Sequence, residues 1–395
     1  MTTESSFACP VCNTPNMQVF VSIPQVPVHA NLLWSARDDA LNAAKGDIEL
    51  GYCHHCGHMY NVAFDPATMQ YTQAYENSLH FSPRFQAYAE ALAQGLIDRY
   101  DLRHKEIVET GSGQGDFLRL LCDLGDNRGW GFDSAYVPSQ ADMEDERLTF
   151  VQGFDWWNSI EQVPDMFYTR HVLEHIETPQ PFVQVIREKI GERPDTLVFF
   201  EMPNMAYTLR ALAIWDIIYE HCSYYTAHSL ACLFERTGFK VLRTDETYAG
   251  QFLTIEAYPT AMEAAVSDCG TAVDLSLISD QVDAFAAEFN QKVTEWQNRL
   301  TVWQREGKKV VAWGAGSKGV SFLNILKTQD QIEYIIDINP RKEGKFVVGS
   351  GQQIVPPTFL ADYQPDIVIL MNPIYKDEIR GMMAEMGVTA EYFVA

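Results

Sequence analysis

The chain has 395 residues, too many for one compact core, so two or three domains are expected. Hydrophobic residues at 47% and aromatic residues at 12% exclude a disordered chain, and a formal net charge of −24 argues against nucleic acid, whose phosphates are held largely by Lys and Arg. No apolar run approaches the ~20 residues that span a bilayer, and the first residues carry no basic or apolar signal region, so a soluble cytoplasmic protein without a membrane partner is expected.

The first segment is expected to cover residues 1–70. Cys9-Pro-Val-Cys12 and Cys53-His-His-Cys56 each form a tight loop that turns two thiolates toward one point. Four thiolates suit a tetrahedral Zn²⁺, which gives a small module the folding energy that its own core lacks. A redox dithiol would need a thioredoxin-like βαβ context, which is absent. The gap between the pairs calls for an inserted hairpin or loop around residues 18–28. His54, His55 and His58 could substitute as ligands, but Cys9, Cys12, Cys53 and Cys56 already complete the shell. The other cysteines, Cys122, Cys222, Cys232 and Cys269, read as scattered reduced thiols.

The second segment is expected to cover residues 71–262. A polar and aromatic stretch containing Tyr75 and Ser78 precedes a helix with 3.6-residue periodicity over 85–100. A strand over 106–109 then runs into Thr110-Gly111-Ser112-Gly113-Gln114-Gly115. Glycines at alternate positions let the backbone approach a ligand closely. A dinucleotide fingerprint would need Gly or Ala at position 116, where this chain has Asp116. A helix follows, then a strand over 130–132 ending at Asp133, 18 residues past Gly115, where an acid can accept from ribose hydroxyls. Further strands are expected over 148–151, followed by Phe154 and Asp155, over 165–169 and over 196–201. Residues 170–176 are expected to open a helix. Alternating strands and helices predict a doubly wound parallel sheet.

The third segment, residues 263–395, begins with a helix over 274–306 that is long enough to act as a strut. A strand over 309–313 leads into Gly314-Ala315-Gly316-Ser317-Lys318-Gly319, where the G-x-G-x-x-G spacing is met. Asp337, closing a strand over 332–336, lies 18 residues past Gly319. A further strand spans 367–370. This is a second doubly wound unit. Alone, the loop would suggest NAD; Lys318 inside it favours an anion such as a diphosphate.

Glu109 followed by G-x-G-x-G resembles motif I of the class I S-adenosylmethionine (SAM)-dependent methyltransferases. A four-cysteine module, a central α/β SAM domain and a second Rossmann-like domain, in that order, resemble the three-domain sugar C-methyltransferases over nearly the whole chain. That resemblance implies SAM and structural zinc, and a nucleotide-diphosphate-linked keto sugar as the small-molecule partner. Glu109, Gly111, Gly113, Gly115, Asp133, Phe154, Asp155, Tyr75 and Ser78 would then face SAM. Gly314, Gly316, Lys318, Gly319, Asp337 and Tyr224 would face the acceptor.

C-methylation needs a base and an enolate stabiliser. His221 resembles the family's catalytic histidine, with Glu220 and Tyr219 beside it and His175 in a Leu-Glu-His pattern after the fourth strand. The family's Tyr-x-Glu-His pattern is not met, because Ile218 stands at the tyrosine position. O- or N-methylation, and a non-catalytic or NAD-binding protein, are the alternatives. The sequence does not set the oligomeric state.

Overall fold

The fold is described from a computed structural model covering residues 3–4, 7–69, 75–138, 144–153, 160, 163–260, 269, 274–328 and 330–395. Three sheets organise it. The first is antiparallel, in the order Thr3–Glu4, Gln18–Pro27, Lys45–Tyr52, Met59–Asn61, Ser223–Tyr224. The expected inserted hairpin is therefore the pairing of Gln18–Pro27 with Lys45–Tyr52. Its last strand comes from far along the chain: Ser223 pairs with Tyr60, which draws the segment before it out of the central unit.

The central sheet has seven strands, in the order Phe239–Thr247, Phe252–Pro259, Leu197–Pro203, Met166–Arg170, Glu106–Thr110, Arg128–Asp133, Leu148–Gln152. Its five parallel strands match the expected ones to within a residue or two. Met166–Arg170 is buried at every position, as a strand covered on both faces must be. The purely parallel expectation needs one correction: Phe252–Pro259 runs antiparallel to both its neighbours. Tyr248, Ala249 and Gly250, all in the left-handed region, make the reversal that produces this hairpin.

Residues 170–176 do not open a helix. His171 takes a left-handed φ of 55°, Leu173–His175 forms a single 3₁₀ turn, and the helix proper is Pro179–Ile190. Pro179 at the first helical position explains the delay, since its missing N–H and fixed φ suit a helix start and disfavour a helix running into it.

The third sheet is parallel throughout, in the order Gln353–Val355, Tyr334–Ile336, Val310–Trp313, Ile367–Leu370, Glu391–Val394. The expected strut is Ser276–Arg305, ~45 Å long at 1.5 Å per residue. Its buried stripe, including Phe285, Phe289, Trp296 and Trp303, joins one apolar cluster with the first sheet, residues around 205–224 and the third sheet. Trp296 packs edge-on against Phe322 of the helix that follows the second glycine loop.

Cys232 and Cys269, expected as separate reduced thiols, are joined as a disulfide with Cα atoms 4.8 Å apart. Two cysteines 37 positions apart carry no spacing signal, so only the fold brings them together.

Candidate functional site: two glycine loops on adjoining cavities

The strand Glu106–Thr110 delivers Gly111 and Gly113 to the rim of a cavity of about 660 Å³, whereas Gly115, expected beside them, does not line it: with φ 81° it packs where a Cβ would stand 2.2 Å from the Phe150 ring. Gly113 has φ 56° and open space where a Cβ would stand, so the loop presents bare backbone to the cavity. Gly111 is needed for packing, because a Cβ there would lie 2.1 Å from a Val172 methyl. Asp133 fixes the loop: Oδ2 accepts from Gly113 N–H at 2.8 Å and Oδ1 from Ala135 N–H at 2.7 Å. Glu109 is buried beneath the loop, and its Oε2 has no hydrogen-bond partner among the described residues. Burial pushes its carboxyl up to about 8. The site thus has at its floor a buried carboxyl with one oxygen unpartnered, whose charged form a ligand carrying a positive group would favour. Phe154 and Asp155, expected beside the same ligand, lie outside the described residues.

The second loop borders a cavity of about 280 Å³ lined by Gly314, Gly316, Lys318 and Asp337. Asp337 repeats the arrangement of Asp133, with Oδ2 accepting from Ala315 N–H at 2.8 Å and Oδ1 from Asn339 N–H at 2.9 Å. Gly319 lies behind the loop: a Cβ there would stand 2.2 Å from Gly314 O, so its role is close helix–loop packing rather than ligand contact. Lys318 is not a free cation. Its Nζ lies 2.7 Å from Asp216 Oδ1 and donates to Gln251 Oε1 at 3.2 Å.

The two cavities share Tyr75, Asn77, Ser78, Leu79, His171 and His175. His221 lines the second cavity beside this shared wall, its ring 4.8 Å from that of His175. Its Nδ1 is buried without a partner among the described residues, and burial pushes the imidazole down to about 3. His221 is therefore neutral near pH 7, with a lone pair available. His175 Nδ1 lies 2.9 Å from Glu220 O, a contact that fixes this ring when Nδ1 carries the proton.

Glu220 does not face either cavity. Its carboxylate accepts from the Ala30 and Asn31 N–H groups and, at 2.7 Å, from the Tyr75 hydroxyl. It holds Tyr75 in place on the shared wall. Tyr219 points away, into the first sheet, where its hydroxyl accepts from Asp65 N–H at 2.9 Å and its ring packs on Phe64. Tyr224 is also turned inward: its hydroxyl donates to Ile218 O at 2.9 Å and closes the turn that carries Glu220 and His221. Both tyrosines are too buried to serve as the catalytic or acceptor-facing groups expected of them.

Sequence reasoning missed the charged layer under the shared wall. Arg170 and Glu201, at the ends of adjacent strands, pair at 2.7 Å while almost fully buried. His171 lies 3.1 Å from Glu201 and 3.6 Å from Glu174. Burial opposes charge on His171, but the two carboxylates outweigh it and hold the ring up to about 9. The only available signal was an ionisable residue at or near the end of each of these strands. A second missed contact crosses units: Glu76 takes Arg341 at 2.9 Å and Asn339 at 3.1 Å.

Away from the cavities, Cys9, Cys12, Cys53 and Cys56 converge in a buried cluster. The Cys9–Cys56 and Cys12–Cys53 sulfurs are 3.6 and 3.5 Å apart. A tetrahedral ion with metal–sulfur bonds of about 2.3 Å separates its sulfurs by about 3.8 Å, so the donor set fits one.

Comparison with known proteins agrees with this geometry. Residues 84–244 match the family described as a methyltransferase domain, and residues 274–395 match the C-methyltransferase C-terminal domain. The C-methyltransferase NovU of Streptomyces niveus is 27% identical over 397 residues, covering 94% of this chain and 90% of that one. The two matched domains and this relative support a SAM-dependent C-methyltransferase family for the chain. It is an enzyme, and SAM is its methyl donor. Among solved structures, this methyltransferase is similar to the N,N-8-amino-8-demethyl-D-riboflavin dimethyltransferase of Streptomyces davawensis, at 18% identity and a TM-score of 0.38. That match covers 44% of this chain and 54% of the other. Human N-acetylserotonin methyltransferase matches at 15% identity and a TM-score of 0.35, over 45% of this methyltransferase and 55% of its own length. None of the helices among the described residues is long and apolar enough to cross a membrane.

Proposed function

We propose that this methyltransferase transfers the methyl group of SAM to a carbon beside the carbonyl of a nucleoside-diphosphate-linked keto sugar, with His221 as base. The observation that carries the reading is the shared wall. The cavity at the first glycine loop and the cavity at the second adjoin at His175, and His221 stands next to it on the acceptor side.

When bound, SAM supplies an electrophilic methyl group on a sulfonium. Glu109 would meet its positively charged methionine end, and the Gly111–Gly113 backbone would let it lie close. In the second cavity, His221 takes the proton from the carbon beside the carbonyl. The C–H electron pair passes into the enolate, and that carbon becomes the nucleophile. Positioned base catalysis of this kind contributes about 10²–10⁴-fold. Tyr75, held by Glu220, keeps the wall between donor and acceptor in place. Cys9, Cys12, Cys53 and Cys56 would hold a zinc ion that stabilises the fold and takes no part in the proton transfer.

The test is to incubate the enzyme with methyl-¹³C SAM and a panel of keto and non-keto nucleotide sugars, then read the product by carbon NMR. A new C–CH₃ signal from a keto sugar supports the reading. An O–CH₃ or N–CH₃ signal as the only product overturns it.

A further inference from the structure

Lys318 is the residue whose position inside the second glycine loop pointed to an anionic ligand, yet it already holds a carboxylate. Asp216 Oδ1 lies 2.7 Å from its ammonium, Oδ2 accepts from it at 2.9 Å, and both side chains are mostly shielded from solvent. The pair joins positions 102 residues apart, one before the Glu220-His221 turn and one in the C-terminal unit. Lys342, the other ammonium among the described lining residues, donates to Ala315 O at 3.0 Å and faces Asp337 at 3.7 Å. Both ammonium groups of this cavity are therefore already facing carboxylates of the protein.

We propose that Asp216 is an internal counter-ion seated where the acceptor's diphosphate binds, and that the diphosphate replaces it on Lys318. This rests on the acceptor reading given above. A phosphate reaching Lys318 beside Asp216 would place two anions against each other in a partly desolvated pocket, and like charges at that range repel. Exchange removes the clash. The backbone that follows is anchored independently: Ser321 Oγ donates to Ile217 O at 3.2 Å, and the Tyr224 hydroxyl accepts from Ile218 N–H at 3.1 Å. Asp216 can thus leave by rotating its side chain. The pair acts as a threshold. Every ligand that uses Lys318 must displace Asp216, so weak anions are kept out while a diphosphate, with more contacts to the loop, gets in. It also gives a reason for an acid at position 216, which a plain anion site would not contain.

Calorimetric titration of the full-length enzyme, at one fixed ionic strength, tests this with inorganic pyrophosphate and with uridine, thymidine and guanosine diphosphates. The wild type is expected to bind pyrophosphate and at least one of the nucleotides. Asp216→Asn and Asp216→Ala should each bind the same ligands about five- to tenfold more tightly, the scale of a partly exposed pair. Lys318→Met should bind them more weakly, and adding Asp216→Asn to it should recover little, since the exchange needs both partners. If the wild type binds but neither Asp216 variant gains affinity, Asp216 is a clamp between units and the proposal is wrong, while the acceptor reading stands. If no variant and no wild-type sample binds any of these diphosphates, the acceptor reading fails and the proposal falls with it.

Discussion

Both glycine loops follow a buried parallel strand, and in both an acid at the end of the next strand accepts a loop N–H at 2.8 Å, Asp133 from Gly113 and Asp337 from Ala315. The ionisable residues beside them differ. Below the first loop lies Glu109, buried and without a partner on Oε2 among the described residues. Inside the second lies Lys318, and Lys342 stands close by, both facing carboxylates. One backbone template thus stands beside a buried acid in one case and beside two ammonium groups in the other. The spacing of glycines decides how closely a ligand approaches; the ionisable residues around them decide which ligand it is.

The largest expected effects come from breaking one loop while sparing the other. Gly113→Val forces a β-branched residue into a left-handed φ and fills open cavity space, so SAM binding should fall by more than about 100-fold by calorimetry. Pyrophosphate binding should change little. Gly319→Val is the reciprocal experiment: its Cβ meets a backbone carbonyl at 2.2 Å, so pyrophosphate binding should be lost and thermal stability lowered by about 1–3 kcal/mol, with SAM affinity nearly kept. Loss of both ligands in either variant would show that the two loops are not separate sites.

A smaller effect is expected from the acid under the first loop. Glu109→Gln should weaken SAM binding about tenfold, or ~1.4 kcal/mol. With its folded-state value raised to about 8, Glu109 stabilises the SAM-free protein fully below the ordinary carboxylate range and loses that contribution as pH rises through about 8. The SAM-free melting temperature should therefore fall more steeply from pH 6 to pH 9 in the wild type than in Glu109→Gln. SAM, by favouring the charged carboxylate, should release a proton on binding at pH 7. Calorimetry in buffers of different ionisation enthalpy reads that proton directly, and Glu109→Gln should not show it.

The parts legible in the sequence were those written in short spacings. Both glycine loops, Asp133, Asp337 and the two C-x-x-C pairs could be found because each signature lies within a few residues or at a fixed offset along a βαβ unit. His221 and His175 were recognisable by their neighbours, but their apposition depends on a short strand, Ser223–Tyr224, crossing to the first sheet. That crossing also turns Tyr219 inward, which no local pattern could reveal. Asp216 with Lys318, and Glu76 with Arg341, are contacts between units separated by 102 and 265 residues. Charge pairs of that kind leave no periodicity, so they become visible only once the sheets are assembled.

If His221 generates a carbon nucleophile in the second cavity, the proton on that carbon must exchange even when no methyl donor is present. The most direct measurement is proton exchange at the carbon beside the carbonyl of the accepted keto sugar nucleotide, in D₂O without SAM, for wild type and His221→Ala. Deuterium should enter in the wild type, and the rate should fall about 10³-fold in His221→Ala while SAM affinity is kept. Unchanged exchange in His221→Ala, or none in a wild type that still methylates the sugar on carbon, would contradict the account.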